Sequence, residues 1–389
     1  MAAVALLSGY KVLDFSSVGP ASRCSRILAD YGAEVIKVGP PPAKATAQIQ
    51  PAFHSYGAGR GMKWLRVDLK QPAGRDALLC VLRTADVLIE SFRPGVAERL
   101  GLGYEALREV NPGIVYCSTS GYGQTGPYAQ WAGHDPNYLA LGGFLACSSR
   151  RADGTPSLPG ASVADAAGGG MHAAIAILAA LLERGRSSRG THLDVSATDG
   201  VLSLMSLNID GYLATGEEPG PGADILTGRY ACYDVYPARD GRFLAVAAIE
   251  PGFYANLCRA LSLESWIPHQ LDDARQDEIR AAFRDAFARR DRDEWIAELA
   301  PRDTCVSPVY TVPELVRDAH LAERGSFHSA VHAEHGALRQ LAPILAGASR
   351  EPQSRPLGAD SGGDANELLR NAGLGDAEIE RMRREGVVA

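Results

Sequence analysis

The sequence predicts an α/β protein: a parallel sheet covered by helices, followed by a smaller α+β unit. Three observations carry the prediction. Short apolar runs alternate with helical stretches through the first half of the chain. The 389 residues are enough for two folded units at about 100–200 residues each. A Pro/Gly segment, Gly216-Glu-Glu-Pro-Gly-Pro-Gly-Ala223, separates that half from a stretch of different patterning.

Residues 11–15 are short and apolar, Gly19-Pro20 interrupts them, 21–31 is helical in pattern and 33–38 is β-rich, which makes a βαβ unit. The pattern repeats with a strand at 64–69, a helix near 75–84 and strands at 86–90 and 114–119. Strands that alternate with helices imply a sheet buried on both faces. Gly168-Gly-Gly170 runs into a helix over 171–184, ending near Gly185, and a second apolar helix begins near Ser196. Beyond the linker, 230–236 and 242–249 read as strands around the Arg239-Asp-Gly turn, with helices to about 299. Residues 352–365 are loose and polar, and 365–373 and 376–385 form two short terminal helices. The expected division is a large domain over 1–195, a linker helix and Pro/Gly linker over 196–222, a small α+β domain over 223–325, and a segment over 326–389 that returns to the large domain.

Composition narrows the function. With 46% hydrophobic and 22% charged residues the chain is globular rather than disordered. A balance of 39 basic against 46 acidic residues gives no global field to hold a nucleic-acid backbone, so an anionic ligand must meet a local basic patch. Seven cysteines stand singly, with no Cys-x-x-Cys pair and no histidine at zinc-finger spacing, so neither a disulfide framework nor structural zinc is expected. The longest apolar helical run, 173–182, is about half of a membrane span, and the start lacks a basic region and a long apolar one. These features predict a cytoplasmic protein with no membrane partner.

Three turn-prone segments carry titratable groups. Ala132-Gly-His134-Asp135-Pro-Asn137-Tyr138 offers an imidazole base beside a carboxylate, and serves equally well as a hydrogen-bonded turn. In Val163-Ala-Asp165-Ala-Ala-Gly168-Gly-Gly170, three glycines would let a ligand approach a helix N-terminus, although Asp165 as a simple helix-end charge is the commoner role. Glu250 follows an apolar strand at the turn into a helix, where it either orients a catalytic partner or caps the helix. Arg60, Lys63, Arg66, Lys70 and Arg93 form a basic set that suits phosphates or a solvated face. A nicotinamide-type reading of the first βαβ unit fails, because Val18-Gly-Pro-Ala-Ser-Arg-Cys24 is not Gly-x-Gly-x-x-Gly.

Taken together and in order, these segments resemble the α-methylacyl-CoA racemases of the family III CoA-transferase (CaiB/BaiF) superfamily, from about Gly9 to Val388. The resemblance rests on Val18-Gly-Pro20, Leu28-Ala-Asp-Tyr-Gly-Ala-Glu-Val-Ile36, Gly59-Arg-Gly61, Val67-Asp-Leu-Lys70, Ala85-Asp-Val-Leu-Ile-Glu90, Arg93-Pro-Gly-Val96, Gly121-Tyr-Gly-Gln-Thr-Gly-Pro127, Gly133-His-Asp-Pro-Asn-Tyr138, Asp165 with its glycines, Ala248-Ile-Glu-Pro-Gly-Phe-Tyr254 and Asp303-Thr-Cys-Val-Ser-Pro308. It implies a Rossmann-like large domain and an interlocked homodimer with shared active sites. It also implies His134 and Asp165 as the proton-transfer pair, with Glu250 supporting the histidine from the other subunit. By the same resemblance Val67, Asp68, Leu69, Lys70, Gly133, Asp135, Asn137 and Tyr138 contact CoA, Arg93 meets a phosphate, and neither a metal nor a separate cofactor is needed.

The sequence departs from that pattern at Gly39-Pro40, Met62-Lys-Trp64, Ala161, Ala166 and Arg229-Tyr-Ala-Cys232. Two alternatives accompany the racemase expectation: a family III CoA-transferase with Asp165 as nucleophile, and a catalytically silent acyl-CoA-binding protein.

Overall fold

The computed structural model describes residues 5–44, 59–332, 335–351 and 363–389. By compactness the chain divides into two units, Met1–Gly143 with Pro159–Ser206 and Ala319–Ala389, and Phe144–Leu158 with Leu207–Asp318. The boundary at Ser206 falls inside the stretch read from sequence as linker. Residues 144–158, read as part of the large domain, belong to the second unit.

In the first unit the chain runs through β1 (Lys11–Asp14), α1 (Gly19–Asp30), β2 (Glu34–Gly39), β3 (Lys63–Arg66), α2 (Pro72–Leu82), β4 (Val87–Glu90), α3 (Val96–Arg99), α4 (Tyr104–Val110), β5 (Val115–Ser120), α5 (Asp135–Leu141), α6 (His172–Ser187), β6 (Thr191–Ser196) and α7 (Ala197–Leu204). The six strands form one parallel sheet in the order β3-β2-β1-β4-β5-β6. This is the doubly wound order, whose strand sequence reverses between β1 and β4 and opens a crevice at the carboxyl ends there.

Alternation along the strands sorts the core into two layers. Leu13, Ile36, Leu65, Leu88 and Tyr116 face one way, onto α2 and the returning helices Gly363–Asn371 and Asp376–Arg384. Val12, Val35, Val87, Ile89, Val115, Cys117 and Val195 face the other, onto α1 and α6. The second layer also buries Asp14, neutralised by Lys37 at 2.6 Å. The strand at Thr191–Ser196 and the hairpin Phe327–His332 with Gly336–Leu341 were not expected from the sequence. Of the loose segment expected at 352–365, residues 352–362 lie outside the described residues.

A turn of wide, π-type helix, Ala164–Met171, runs without a break into α6. The helical run Ala164–Ser187 is therefore longer than its apolar pattern suggested, and among the described residues it alone is long and apolar enough to cross a membrane. Ala173, Ala174, Ile177, Ala180 and Leu181 face the core, whereas Met171, Ile175 and Leu182 are exposed.

The second unit holds α8 (Ser206–Thr215), an antiparallel sheet β7-β8-β9 (Tyr233–Pro237, Phe243–Ala247, Val306–Pro308), and α9 (Pro251–Ala260), α10 (Gln276–Phe287) and α11 (Arg292–Leu299). Its core is aromatic: Phe283 and Phe287 pack edge-on to each other and against Tyr236, and Trp295 donates its indole N–H to the Phe287 carbonyl at 2.9 Å. All seven cysteines are free.

Candidate active site

A cleft of about 460 Å³ opens at the carboxyl ends of β4 and β5, beside the reversal of strand order. Ser91, Phe92, Arg93 and Pro94 form one wall, Ser120 and Gly121 lie at the end of β5, and Trp131, Gly133, His134, Asn137 and Tyr138 form the opposite side. Packing explains the spacing of that last segment. The Tyr138 ring lies so close to Gly121 and Gly133 that a Cβ on either would fall within 2.8 Å of it. The Tyr138 hydroxyl donates to the Gly133 carbonyl at 2.5 Å. Glycines at both positions thus let the tyrosine seat the loop that delivers His134.

His134 is extended (φ −131°, ψ 177°) and caps α5, its backbone N–H donating to Asn137 Oδ1 at 3.0 Å. Its imidazole is exposed. Asp135 turns the other way, and its carboxylate accepts the Asp165 N–H at 2.8 Å. That bond ties the histidine loop to the π-type turn, a local geometry often found at functional sites. Asp165 is half-buried. Burial pushes its carboxyl upward and the Asp135 charge adds to this, while Arg23 and His134 oppose it. His134 and Asp165, far apart in sequence, therefore share one electrostatic neighbourhood.

The three glycines after Asp165 do not leave room for a ligand, contrary to the sequence expectation. All three are buried: a Cβ on Gly169 would sit 2.5 Å from Pro20 Cβ, and one on Gly170 2.5 Å from Arg23 Cβ. Across from them, a Cβ on Gly200 of α7 would sit 1.7 Å from the Gly168 carbonyl oxygen. They exist so that α1 and α7 can close onto the turn.

Other expected site residues lie elsewhere. Val67 bridges Val388, and Asp68 is bound by Lys44 at 2.7 Å, which holds its carboxyl down at about 2. Leu69 is half-buried and Lys70 exposed, and none of the four lines the cleft. Among the basic set, Arg60 is buried in a bidentate pair with Asp30, Lys63 bridges Glu34 and Glu367, and Arg66 lies 3.8 Å over the Trp64 ring. Only Arg93 of that set reaches the cleft. In the second unit Glu250 precedes α9 with its carboxylate exposed and making no capping hydrogen bond, so the simple capping role is not realised. Arg229 is paired there with Asp273.

One acid escaped sequence reasoning. Glu90, only 3% exposed, ends β4 beneath the cleft wall. Register places it in a row with Ser118 of β5 and Asp194 of β6. Burial lifts its carboxyl to about 7, against the pull of hydrogen bonds from Ser118 and the Phe92 N–H, and Glu98 and Asp194 lift it further. A folded-state value above the ordinary 4.5 means the folded protein holds this proton more tightly than the unfolded chain. Stability is then lost as pH rises from about 4.5 to 7, and the cost persists above 7. Glu90→Gln is expected to be more stable than the unaltered protein by up to about 3 kcal/mol at pH 8. The two should converge near pH 4. Urea melts at both values check this, and equal midpoints at pH 8 would contradict it.

Among the described residues no group of three or more His, Cys, Asp or Glu is placed to hold a metal.

Comparison with known proteins adds identity to this geometry. The chain is 35% identical to the human alpha-methylacyl-CoA racemase over 98% of its own length and 97% of the human protein's. It is 30% identical to the succinate–glutarate CoA-transferase of Agrobacterium fabrum, over 82% of this chain and 84% of that one. Among solved structures it resembles a CAIB/BAIF family protein from Brucella suis, with TM-score 0.74 and 26% identity over 93% of this chain and 99% of that one. The model of CoA-transferase family III matches residues 7–361, and the chain belongs to that family.

Proposed function

We propose that this protein inverts the α-carbon of a 2-methylacyl-CoA, or a related acyl-CoA thioester, by passing a proton between His134 and Asp165 through an enolate. The observation that supports this most is the 2.8 Å bond from the Asp165 N–H to the carboxylate of Asp135, the residue that follows His134. Inversion removes a weakly acidic C–H on one face and returns a hydrogen on the other, so one side chain cannot serve both faces. Imidazole and carboxylate exchange roles, each beginning a turnover in the opposite protonation state. The upward push on Asp165 favours this, since it brings the carboxyl closer to the range where it can hold a proton at neutral pH.

The enolate needs a donor where its charge develops. Asp135 is the first residue of α5 and the next, Pro136, has no N–H, so the Asp135 amide is the leading free donor of that terminus. One such donor is typically worth about 3–4 kcal/mol. Arg93 in the cleft wall suits a phosphate of the CoA arm. In this reading the protein works as a cytoplasmic homodimer in which Glu250 of a second copy orients His134. The exposed stripe Met171, Ile175 and Leu182 gives the helical run Ala164–Ser187 an apolar surface for such pairing.

Incubation with 2-methylacyl-CoA thioesters in D2O tests the proposal. One deuterium should enter the α-carbon and both epimers should accumulate. A second reading has support in the similarity to CoA-transferases: Asp165 would attack the thioester carbonyl, expel the CoA thiolate and form a mixed anhydride. Hydroxylamine trapping at Asp165 in the presence of acyl-CoA, with no deuterium uptake, would select that reading. Tight binding with neither outcome at any pH would identify a silent acyl-CoA binder.

A further inference from the structure

We propose that Glu90 is a positioning residue for the cleft: its carboxylate holds the Ser91–Pro94 wall in place, sets Arg93 against the ligand, and makes ligand affinity depend on its own ionisation. The proposal rests on the thioester reading for its choice of probe.

Geometry carries the argument. Glu90 is the last residue of β4 and Ser91 is the first residue of the cleft wall. The carboxylate folds forward to accept the Phe92 N–H at 2.6 Å, which closes a tight turn two residues before Arg93. The Glu90 carbonyl accepts the Thr119 hydroxyl at 3.2 Å, so the strand end is fixed from β5 as well. Ser118 links the carboxylate sideways, its Oγ lying 2.9 Å from His192 Nε2. His192 is in turn stacked on Tyr104, with ring centroids 5.5 Å apart. On the far side of the cleft wall, Gln130 donates to the Pro94 carbonyl at 3.2 Å. The wall is therefore held at both ends, and the inner anchor is a buried acid.

No ion pair to Glu90 forms among the described residues. The groups around it are Tyr116, Cys117 and Ser118 from β5, His192 and Asp194 from β6, and Glu98 from α3. Asp14, on the neighbouring strand β1, is level with Ile89, faces the opposite layer and is already bound to Lys37. A buried carboxylate among acids does not stabilise a fold, and a glutamine would fill the same space with less strain. What the charge adds is a stronger acceptor for the Phe92 N–H, since a charge-assisted bond is about twice as strong as a neutral one. The ionised carboxylate holds the wall tightly, and the neutral acid holds it less well.

The test measures binding of coenzyme A by calorimetry from pH 6 to pH 8, alongside KM and kcat for α-deuterium exchange. For the unaltered protein, affinity should tighten about tenfold across that range. Glu90→Gln should lose the pH dependence and raise KM about tenfold, with kcat moving less than about threefold. Arg93→Ala should also weaken binding, and the double variant should bind no worse than Arg93→Ala alone, because one residue acts through the other. Affinity unchanged by Glu90→Gln, or additive losses in the double variant, would overturn the role of Glu90 while leaving the thioester reading intact. Failure of the unaltered protein to bind coenzyme A at any pH would overturn both.

Discussion

Replacing His134 with alanine is expected to lower the rate of α-carbon inversion by about 10²–10⁴, the usual worth of a positioned general acid–base. Substitution at this position is unusually clean. The imidazole is exposed and outside the core, and the bond that shapes the loop runs from the backbone N–H to Asn137, which alanine keeps. Stability should change by no more than about 0.5 kcal/mol, so a loss of rate reports chemistry rather than folding. The two-base scheme adds a sharper signature. With the histidine gone, Asp165 can still remove and return a proton on its own face, so one epimer should wash in deuterium without inverting and the other should be inert. Chiral chromatography combined with mass spectrometry separates these outcomes. Inversion at the unaltered rate would end the assignment of His134 as a base.

The largest structural effect is expected at Gly200. A methyl group there would sit 1.7 Å from the Gly168 oxygen, 2.4 Å from its carbonyl carbon and 2.6 Å from its Cα, all of them backbone atoms. No rotamer change relieves such a contact, so α7 and the π-type turn must part. Gly200→Ala should cost about 4 kcal/mol, in the range reserved for severe core overpacking. Activity should suffer in whatever remains folded, since the turn carries Asp165. Gly185 is the control: it lies in α6, is exposed and has open space where a Cβ would go. Gly185→Ala should stabilise by about 0.4–1 kcal/mol through the unfolded chain. Thermal melts of the pair separate crowding from helix propensity, and a Gly200 variant as stable as the Gly185 one would refute the packing account.

The central sheet was largely readable because its inner strands are buried on both faces and so appear as short unbroken apolar runs. The sixth strand was not. Thr191–Ser196 lies at the sheet edge with only Val195 and Ser196 buried, and its threonine, histidine and aspartate look like a loop. The antiparallel pair Phe327–His332 and Gly336–Leu341 was missed for the same reason, since alternate residues face solvent. At the candidate site, the pairing of His134 with Asp165 was expected only from a long ordered set of motifs, and what the structure adds is their proximity; each alone has an ordinary structural role. Gly168–Gly170 shows a complementary limit. Sequence reveals that a side chain is absent, but not whether a ligand or another helix occupies the space. Glu90 was hidden because its meaning depends on Ser118 and Asp194, which only strand register brings level with it.

A segment distant in sequence clasps the edge of the parallel sheet. The Asp68 N–H donates to the Val387 carbonyl, Val67 bridges Val388 and the Ala389 N–H reaches the Arg66 carbonyl at 3.1 Å, so the sheet edge at β3 is sealed by residues that follow the whole second unit. During synthesis that edge waits, its apolar layer uncovered, until the helices Gly363–Asn371 and Asp376–Arg384 have left the ribosome. A nascent polypeptide of this design cannot finish its first unit before the second has been made, and its exposure to aggregation and to chaperones lasts through that interval.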